Sequence, residues 1–255
     1  MEINNKISSD ILTSFIKISE DLFLTNISTF NLIVDDFIPI RQFEKENIKS
    51  QSIYFNVFDF FKINEPLHSK LIASLLDPGG NHGQGNLFLL TFFDFLKIEY
   101  HDKDVWQVTA EIGRIDILIK CLNRRSVIII ENKSNGANCQ PNQLYRYWYQ
   151  EIYLQFEYNG QITNCLSKNK NFRIIYLAPE IGKNFENHSI ERPNELKNQI
   201  GLPESLKKDE IEHLTFSNFI VPWLKECLLL NDVHADNQRI REFIKQYIIL
   251  WEMNY

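Results

Sequence analysis

Cysteine, clustered histidine, long apolar runs and excess positive charge are all scarce in this chain, and each scarcity closes off a class of protein. The four cysteines, Cys121, Cys139, Cys165 and Cys227, stand far apart with no C-x-x-C pair, and the six histidines offer no i, i+3 or i, i+4 partners. A disulfide framework and a zinc site of Cys and His are therefore excluded, and reduced thiols are expected. No stretch approaches the ~18 apolar residues of a membrane span: the longest uncharged runs, Leu22–Val34 and Pro78–Phe93, are studded with Asn, Thr and Gly. The start, Met1-Glu2-Ile3-Asn4-Asn5-Lys6, lacks the charged-then-apolar order of a secretory signal, so a cytoplasmic protein is expected. There is no internal repeat, low-complexity tract or Gly/Ser linker. Lys and Arg (27) fall short of Asp and Glu (33), and the net charge of −6 argues against a broadly basic coat for nucleic acid.

What is present is the balance of a soluble globular protein, 44% hydrophobic and 24% charged over 255 residues. A chain of that length can bury ~70–75% of its unfolded surface unaided. The charge is uneven. Residues 1–50 carry five basic against eight acidic side chains, whereas residues 103–150 carry seven basic against four acidic, so the middle of the chain is where a polyanion is best tolerated. The expected organisation is one domain over residues 1–255: a helical extension to residue 60, a core over 61–180, then a loop region and C-terminal helices.

Periodicity supplies the elements. Ile11, Phe15, Ile18 and Leu22 have helical spacing, with Ser9 or Asp10 as cap. Residues 28–40 are open between helix and strand, and 41–52 read as a polar connection. A helix is expected from Asn64-Glu65-Pro66 to the residues before Asp77-Pro78, a loop over Asp77–Gly85, and a buried helix over Asn86–Lys97. Three strands follow, Val105–Ile112, Arg114–Leu122 and Ser126–Lys133, broken at Gly113 and Asn123-Arg124-Arg125. A helix over Asn138–Gln155, a strand over Phe172–Pro179, a loop region over 180–210 and helices over Ser217–Leu230 and Asp236–Trp251 complete the chain.

Strand alternation then places chemistry. In the third strand Val127, Ile129, Glu131 and Lys133 share one face, and Ile128, Ile130 and Asn132 the other. Four consecutive β-branched residues, Val127–Ile130, mark a central strand covered on both sides. In the second strand Ile115, Ile117, Ile119 and Cys121 form an apolar face and leave Asp116 on the other. The turn at Gly113 brings Glu111 near Asp116. Burying an unpaired carboxylate costs several kcal/mol, so acids converging on Lys133 require a counter-charge. A hard divalent cation held by carboxylates, a main-chain carbonyl and water satisfies that requirement. The alternative is a buried ion-pair network, Asp116 with Lys133 and Glu131 with Arg114.

Asp116 followed by Glu131-Asn132-Lys133 resembles the D-x(n)-[DE]-x-K signature of the PD-(D/E)XK nuclease superfamily. Glu65-Pro-Leu-His-Ser-Lys-Leu-Ile-Ala-Ser-Leu-Leu-Asp-Pro78 and His82-Gly-Gln-Gly85 look like a bacterial branch known only by that superfamily name. The match departs at Ile115, where the signature has Pro. The resemblance implies an α/β, restriction-endonuclease-like αβββαβ core with a mixed central sheet and helical N- and C-terminal additions. It also implies a nuclease in which Asp116, Glu131 and the carbonyl of Asn132 bind Mg²⁺ or Mn²⁺. Lys133 would orient or activate the attacking water and stabilise charge on the phosphate, and the first-helix acid Glu65 would act through water or a second metal. Glu111, which the Gly113 turn places near Asp116, is a further catalytic candidate from the strand reading. The substrate implied is nucleic acid, DNA ahead of RNA, with no membrane partner; a homodimer stays open.

Gln143 and Tyr147, at i and i+4 on one helix face, resemble the Q-x-x-x-Y pattern of the exonuclease-like branches, where the pair contacts the nucleic-acid backbone. The other reading is a solvated Gln and a core Tyr. Tyr145, Trp148, Tyr149 and Tyr153 nearby are base-stacking candidates or ordinary packing residues. His68 and Ser69 share a helix face with Glu65 and are expected to line the cleft, and Arg114 is expected at phosphate. His82, among glycines with no Gly-Lys-Ser/Thr, marks a turn rather than a phosphate loop. The alternative function, a catalytically silent nucleic-acid-binding or interaction module on the same scaffold, is favoured by the acidic net charge and the absence of an identifiable DNA-recognition module, and opposed by the intact triad of Asp116, Glu131 and Lys133.

Overall fold

The computed structural model describes residues 2–52, 55–61, 63–157, 171–180, 184–230 and 237–254. Cys165 and the expected helix start at Asp236 lie outside them. The chain divides into two compact units, Met1–Phe55 and Asn56–Tyr255.

The first unit is one helix, α1 (Glu2–Gln51), which runs through Pro39. This settles residues 28–40, left open between helix and strand, as helical, and corrects one expectation: 41–51 continue the helix rather than forming a connection. Hydroxyls that would compete with the helix are turned back onto it, Thr25 donating to the Asp21 carbonyl (2.7 Å) and Thr29 to that of Thr25 (2.9 Å).

The second unit is built on a five-stranded sheet in the order β1-β2-β3-β4-β5. β1 (Trp106–Ile112), β2 (Ile115–Cys121) and β3 (Val127–Asn132) form an antiparallel meander; β4 (Phe172–Ala178) and β5 (Ile211–Thr215) add on in parallel. β3 is therefore central, and all its residues are buried. The sheet is mixed, as expected. β5 is the strand that the sequence does not announce: Ile-Glu-His-Leu-Thr is short and half polar.

α2 (Glu65–Leu76) starts where Asn64 accepts the Leu67 N–H (3.0 Å), with proline in the first turn, where no hydrogen bond is lost. With α3 (Leu87–Leu96) and the C-terminal helices α6 (Val221–Leu229) and α7 (Gln238–Asn254) it covers the sheet face carrying Ile117, Ile119, Ile128, Ile130, Ile175 and Leu177. The opposite face, with Leu118, Val127, Ile129, Ile174 and Ile211, packs on α4 (Gln143–Trp148), which continues through a π-helical turn, Tyr149–Tyr153, into α5 (Leu154–Glu157). Ile115 joins this second face rather than that of Ile117. The helix begins at Gln143, not Asn138, because other side chains take the preceding amides: Glu65 those of Asn135 and Ala137, Glu186 that of Cys139.

The β1–β2 link is a two-residue turn, Gly113 (φ 65°) and Arg114 (φ 69°), between the paired Ile112 and Ile115. Both positions are left-handed, as a hairpin of this length requires; the glycine takes that geometry freely and the arginine at a cost of about 1 kcal/mol.

Candidate functional site

Strand register sets one row of side chains across the sheet. Glu131 pairs with Tyr176 on β4, and Tyr176 with His213 on β5. Asp116 stands beside Glu131, one step beyond the last β2–β3 pair, Ile117 with Ile130. Glu111, left-handed (φ 59°) and skipped in the register between Ala110–Ile117 and Ile112–Ile115, lies close enough for its charge to act on Asp116. The row lies on the α4 face, at the end of β3 where the chain leaves the sheet.

Three charged groups meet in this row. Lys133 Nζ lies 2.5 Å from Glu131 Oε1, with both side chains buried. Asp116 Oδ2 accepts the Asn132 N–H at 2.6 Å. Burial, and after it the Glu131 carboxylate, push the Asp116 carboxyl up to about 8 against the pull of that N–H. Burial likewise raises Glu131. For Lys133 burial acts downwards, but the Glu131 carboxylate outweighs it and the ammonium is held more firmly. The alternative network has one correct element, an ion pair, but with different partners: Lys133 pairs with Glu131, not Asp116, and Arg114 is exposed in its turn.

The residues fit a divalent cation. Half-buried Asp116 and buried Glu131 face one ammonium among the described residues, so with both acids ionised one negative charge is left over, which a cation, or a proton on Asp116, would neutralise. Glu131 Oε2 is buried beside the Tyr147 hydroxyl, which donates to the Arg114 carbonyl. The Lys133 N–H donates to Leu177 of β4 at 2.8 Å. Across that trans peptide the Asn132 carbonyl points the other way, towards β2 and Asp116. Among the described residues no three His, Cys, Asp or Glu side chains converge as a metal-binding group. The donor set on offer is two carboxylates and a carbonyl, with water filling the rest, and this suits Mg²⁺ or Mn²⁺.

The other expected residues divide. Gln143 and Tyr147 are brought to the site: Gln143 Nε2 donates to the Tyr147 hydroxyl (2.9 Å), and burial, then the charges of Glu131 and Asp116, raise that hydroxyl. Glu65 is near Glu131, but its carboxylate holds the loop after β3 through the N–H groups of Asn135 (3.1 Å) and Ala137 (3.2 Å). Ser69 turns to Asn132. Glu111 is exposed, close enough to raise Asp116. His68 is not brought to the site: its ring is buried among Phe216, Tyr247 and Trp251 and bonds the Tyr247 hydroxyl at 2.8 Å. Tyr145, Trp148 and Tyr153 are core residues as well, not a stacking platform. His82 folds onto its own turn, bonding the Asp77 carbonyl and the Gln84 N–H.

Two neighbours escape sequence reasoning. Tyr176 has its hydroxyl raised by burial and by the carboxylates of Glu186, Glu131 and Glu65, and Glu186 accepts the Cys139 N–H at 2.9 Å. The alternation Phe172, Ile174, Tyr176 could have placed the tyrosine on the Glu131 face; nothing local marks Glu186.

A family model described as the PD-(D/E)XK nuclease superfamily matches residues 55–249. No curated protein and no solved structure matches the chain.

Proposed function

Because the chain belongs to the PD-(D/E)XK nuclease superfamily, we propose that it hydrolyses phosphodiester bonds in nucleic acid, DNA ahead of RNA, with Mg²⁺ or Mn²⁺. The observation that carries this reading is the pair of carboxylates, half-buried Asp116 and buried Glu131, with one ammonium between their charges at the end of the central strand. Asp116, Glu131 and the Asn132 carbonyl would hold the ion. When bound, it supplies neutralisation of charge on the phosphate and a lowered pKa for water. Lys133 keeps its proton beside Glu131 and offers a positive group to the phosphate in the transition state. Gln143, half-buried at the start of α4, is the side chain of the Gln143–Tyr147 pair with access to a nucleic-acid backbone. Glu111 and Arg114, exposed at the β1–β2 turn, flank the same entrance.

The test is incubation with labelled linear, circular and single-stranded DNA, and with RNA, in Mn²⁺ and in EDTA. Metal-dependent cleavage of DNA abolished by EDTA is expected. Nucleic-acid binding with no cleavage in any metal would contradict the reading in favour of a silent module.

A further inference from the structure

Asn132 occupies a place where an apolar residue is expected. It follows Ile128 and Ile130 on the same face of β3, it is fully buried, and it projects towards α2 rather than into the carboxylate row. An amide there costs free energy unless every polar atom is bonded, and every one is. Nδ2 donates to the Glu65 carbonyl and to Ser69 Oγ, both at 3.1 Å, and Oδ1 accepts the Ser134 N–H at 3.0 Å. Ser69, equally buried, passes its own proton to the Glu65 carbonyl at 3.0 Å. The first turn of α2 is thereby tied to the last residue of β3.

What the tie governs is the backbone on which the site is built. The N–H of Asn132 is aimed at Asp116, its carbonyl points towards β2, and Glu131 and Lys133 are its two neighbours. We infer that Asn132 and Ser69 are positioning residues, a buried latch between α2 and β3 that fixes the direction of the Asn132 carbonyl and the placing of Asp116 and Lys133. The inference rests on the metal-dependent reading above. It gives Ser69 a task inside the protein rather than at nucleic acid. It also explains why the residue between Glu131 and Lys133 is a fully bonded amide: an apolar side chain would fill the space without setting a direction.

The experiment compares wild type with Ser69→Ala, Ser69→Thr, Asn132→Ala and the double alanine variant. Mn²⁺ affinity is read by calorimetry, kcat and KM by DNA cleavage, and Tm in metal-free buffer. Ile128→Val, a core change on the same strand face, serves as the control for lost packing. Ser69→Ala is the gentle variant, since Asn132 keeps its bond to the Glu65 carbonyl. It should lose about tenfold in kcat, less than the ~10²-fold that a misplacement of 1 Å can cost, with weaker Mn²⁺ binding and an unchanged KM. Ser69→Thr, which keeps the hydroxyl, should recover most of the loss. The double variant should be no worse than Asn132→Ala, because the two side chains act through one contact. Wild-type kcat and Mn²⁺ affinity in Ser69→Ala overturn the latch alone, as does a loss that Ile128→Val reproduces at equal Tm. A wild type that neither binds Mn²⁺ nor cleaves overturns the metal-dependent reading, and the latch with it.

Discussion

Asp104 and Asp116 sit at opposite ends of the β1–β2 hairpin, and their surroundings differ in one respect that separates architecture from chemistry. Asp104 is complete. Arg124 reaches it through Nη2 at 2.7 Å and Nε at 3.3 Å, and the His101 N–H reaches it at 2.9 Å. The guanidinium spends its remaining donors on the Glu99 carbonyl and Asn171, and lies over the Trp106 ring. Although burial pushes the Asp104 carboxyl up, Arg124 and the His101 N–H hold it below the usual carboxylate range. Asp116 has one N–H, a second buried acid beside it, and an ammonium already engaged by that acid; its carboxyl is pushed the other way, to about 8. One end of the hairpin satisfies its charge internally, and the other leaves a charge for something that arrives.

The comparison breaks most sharply under Asp116→Asn. The amide keeps the shape and removes the charge, so cleavage should fall at least ~10³-fold, roughly 4 kcal/mol of transition-state stabilisation. Metal-free stability should not suffer. The sign follows from linkage: between about 3.8 and about 8 the folded protein holds a proton on Asp116 that the unfolded chain has released, so wild-type stability falls as pH rises through that window. Asp104, with its lowered pKa, acts in the opposite sense, stabilising above the ordinary carboxylate pKa and losing that contribution in acid. Thermal melts against pH in EDTA should show Asp116's contribution falling between about 3.8 and about 8 in wild type, and that component missing in Asp116→Asn; identical profiles would be inconsistent with a strained Asp116.

Arg124→Met is the mirror experiment. It strands a carboxylate whose side chain is 5% exposed in a residue that is itself only half-buried, so the cost falls below the ~3–5 kcal/mol of a fully buried pair broken on one side. Denaturant melts should register that loss, while the rate per folded molecule stays near wild type. Lys133→Ala comes next: the ammonium bears on the transition state, so the rate should drop ~10²-fold, the scale for removing one electrostatic stabiliser. Mn²⁺ binding should persist, and rates close to wild type would place the chemistry elsewhere. The smallest effect belongs to Gln143→Ala. Losing one backbone contact of about 1 kcal/mol should raise KM several-fold, with Tm and Mn²⁺ affinity unchanged; a fall in Tm without a change in KM would make the pair with Tyr147 structural.

The difference between the two ends was only half visible in the sequence. Strands β1 to β4 announce themselves because their apolar residues alternate or run together between breaks at Gly113 and Asn123-Arg124-Arg125. That alternation also sorts Glu131 and Asn132 onto opposite faces, as found. Asn64 and Pro66 mark the start of α2 by local chemistry. What stays hidden is decided by distant partners. His68 looks like a cleft residue until Tyr247, far along the chain, takes its ring nitrogen. Tyr145 and Trp148 look like a stacking surface until the sheet covers them. α4 begins late because Glu65 and Glu186 bond the amides before it. α1 runs past residue 40 although its polar composition there reads as a connection. The Lys133–Glu131 pairing is hidden for the same reason: alternation puts Asp116, Glu131 and Lys133 on one face but does not say which acid the lysine takes.

The account stands on the charge left over at the Asp116 end, and calorimetric titration of Mn²⁺ tests it most directly. Wild type, Asp116→Asn, Glu131→Gln and Arg124→Met are titrated side by side in metal-free buffer. One Mn²⁺ bound by wild type and by Arg124→Met, with binding lost or much weakened in the two carboxylate variants, is the predicted result. Equal binding by all four proteins, or none by wild type, would contradict it.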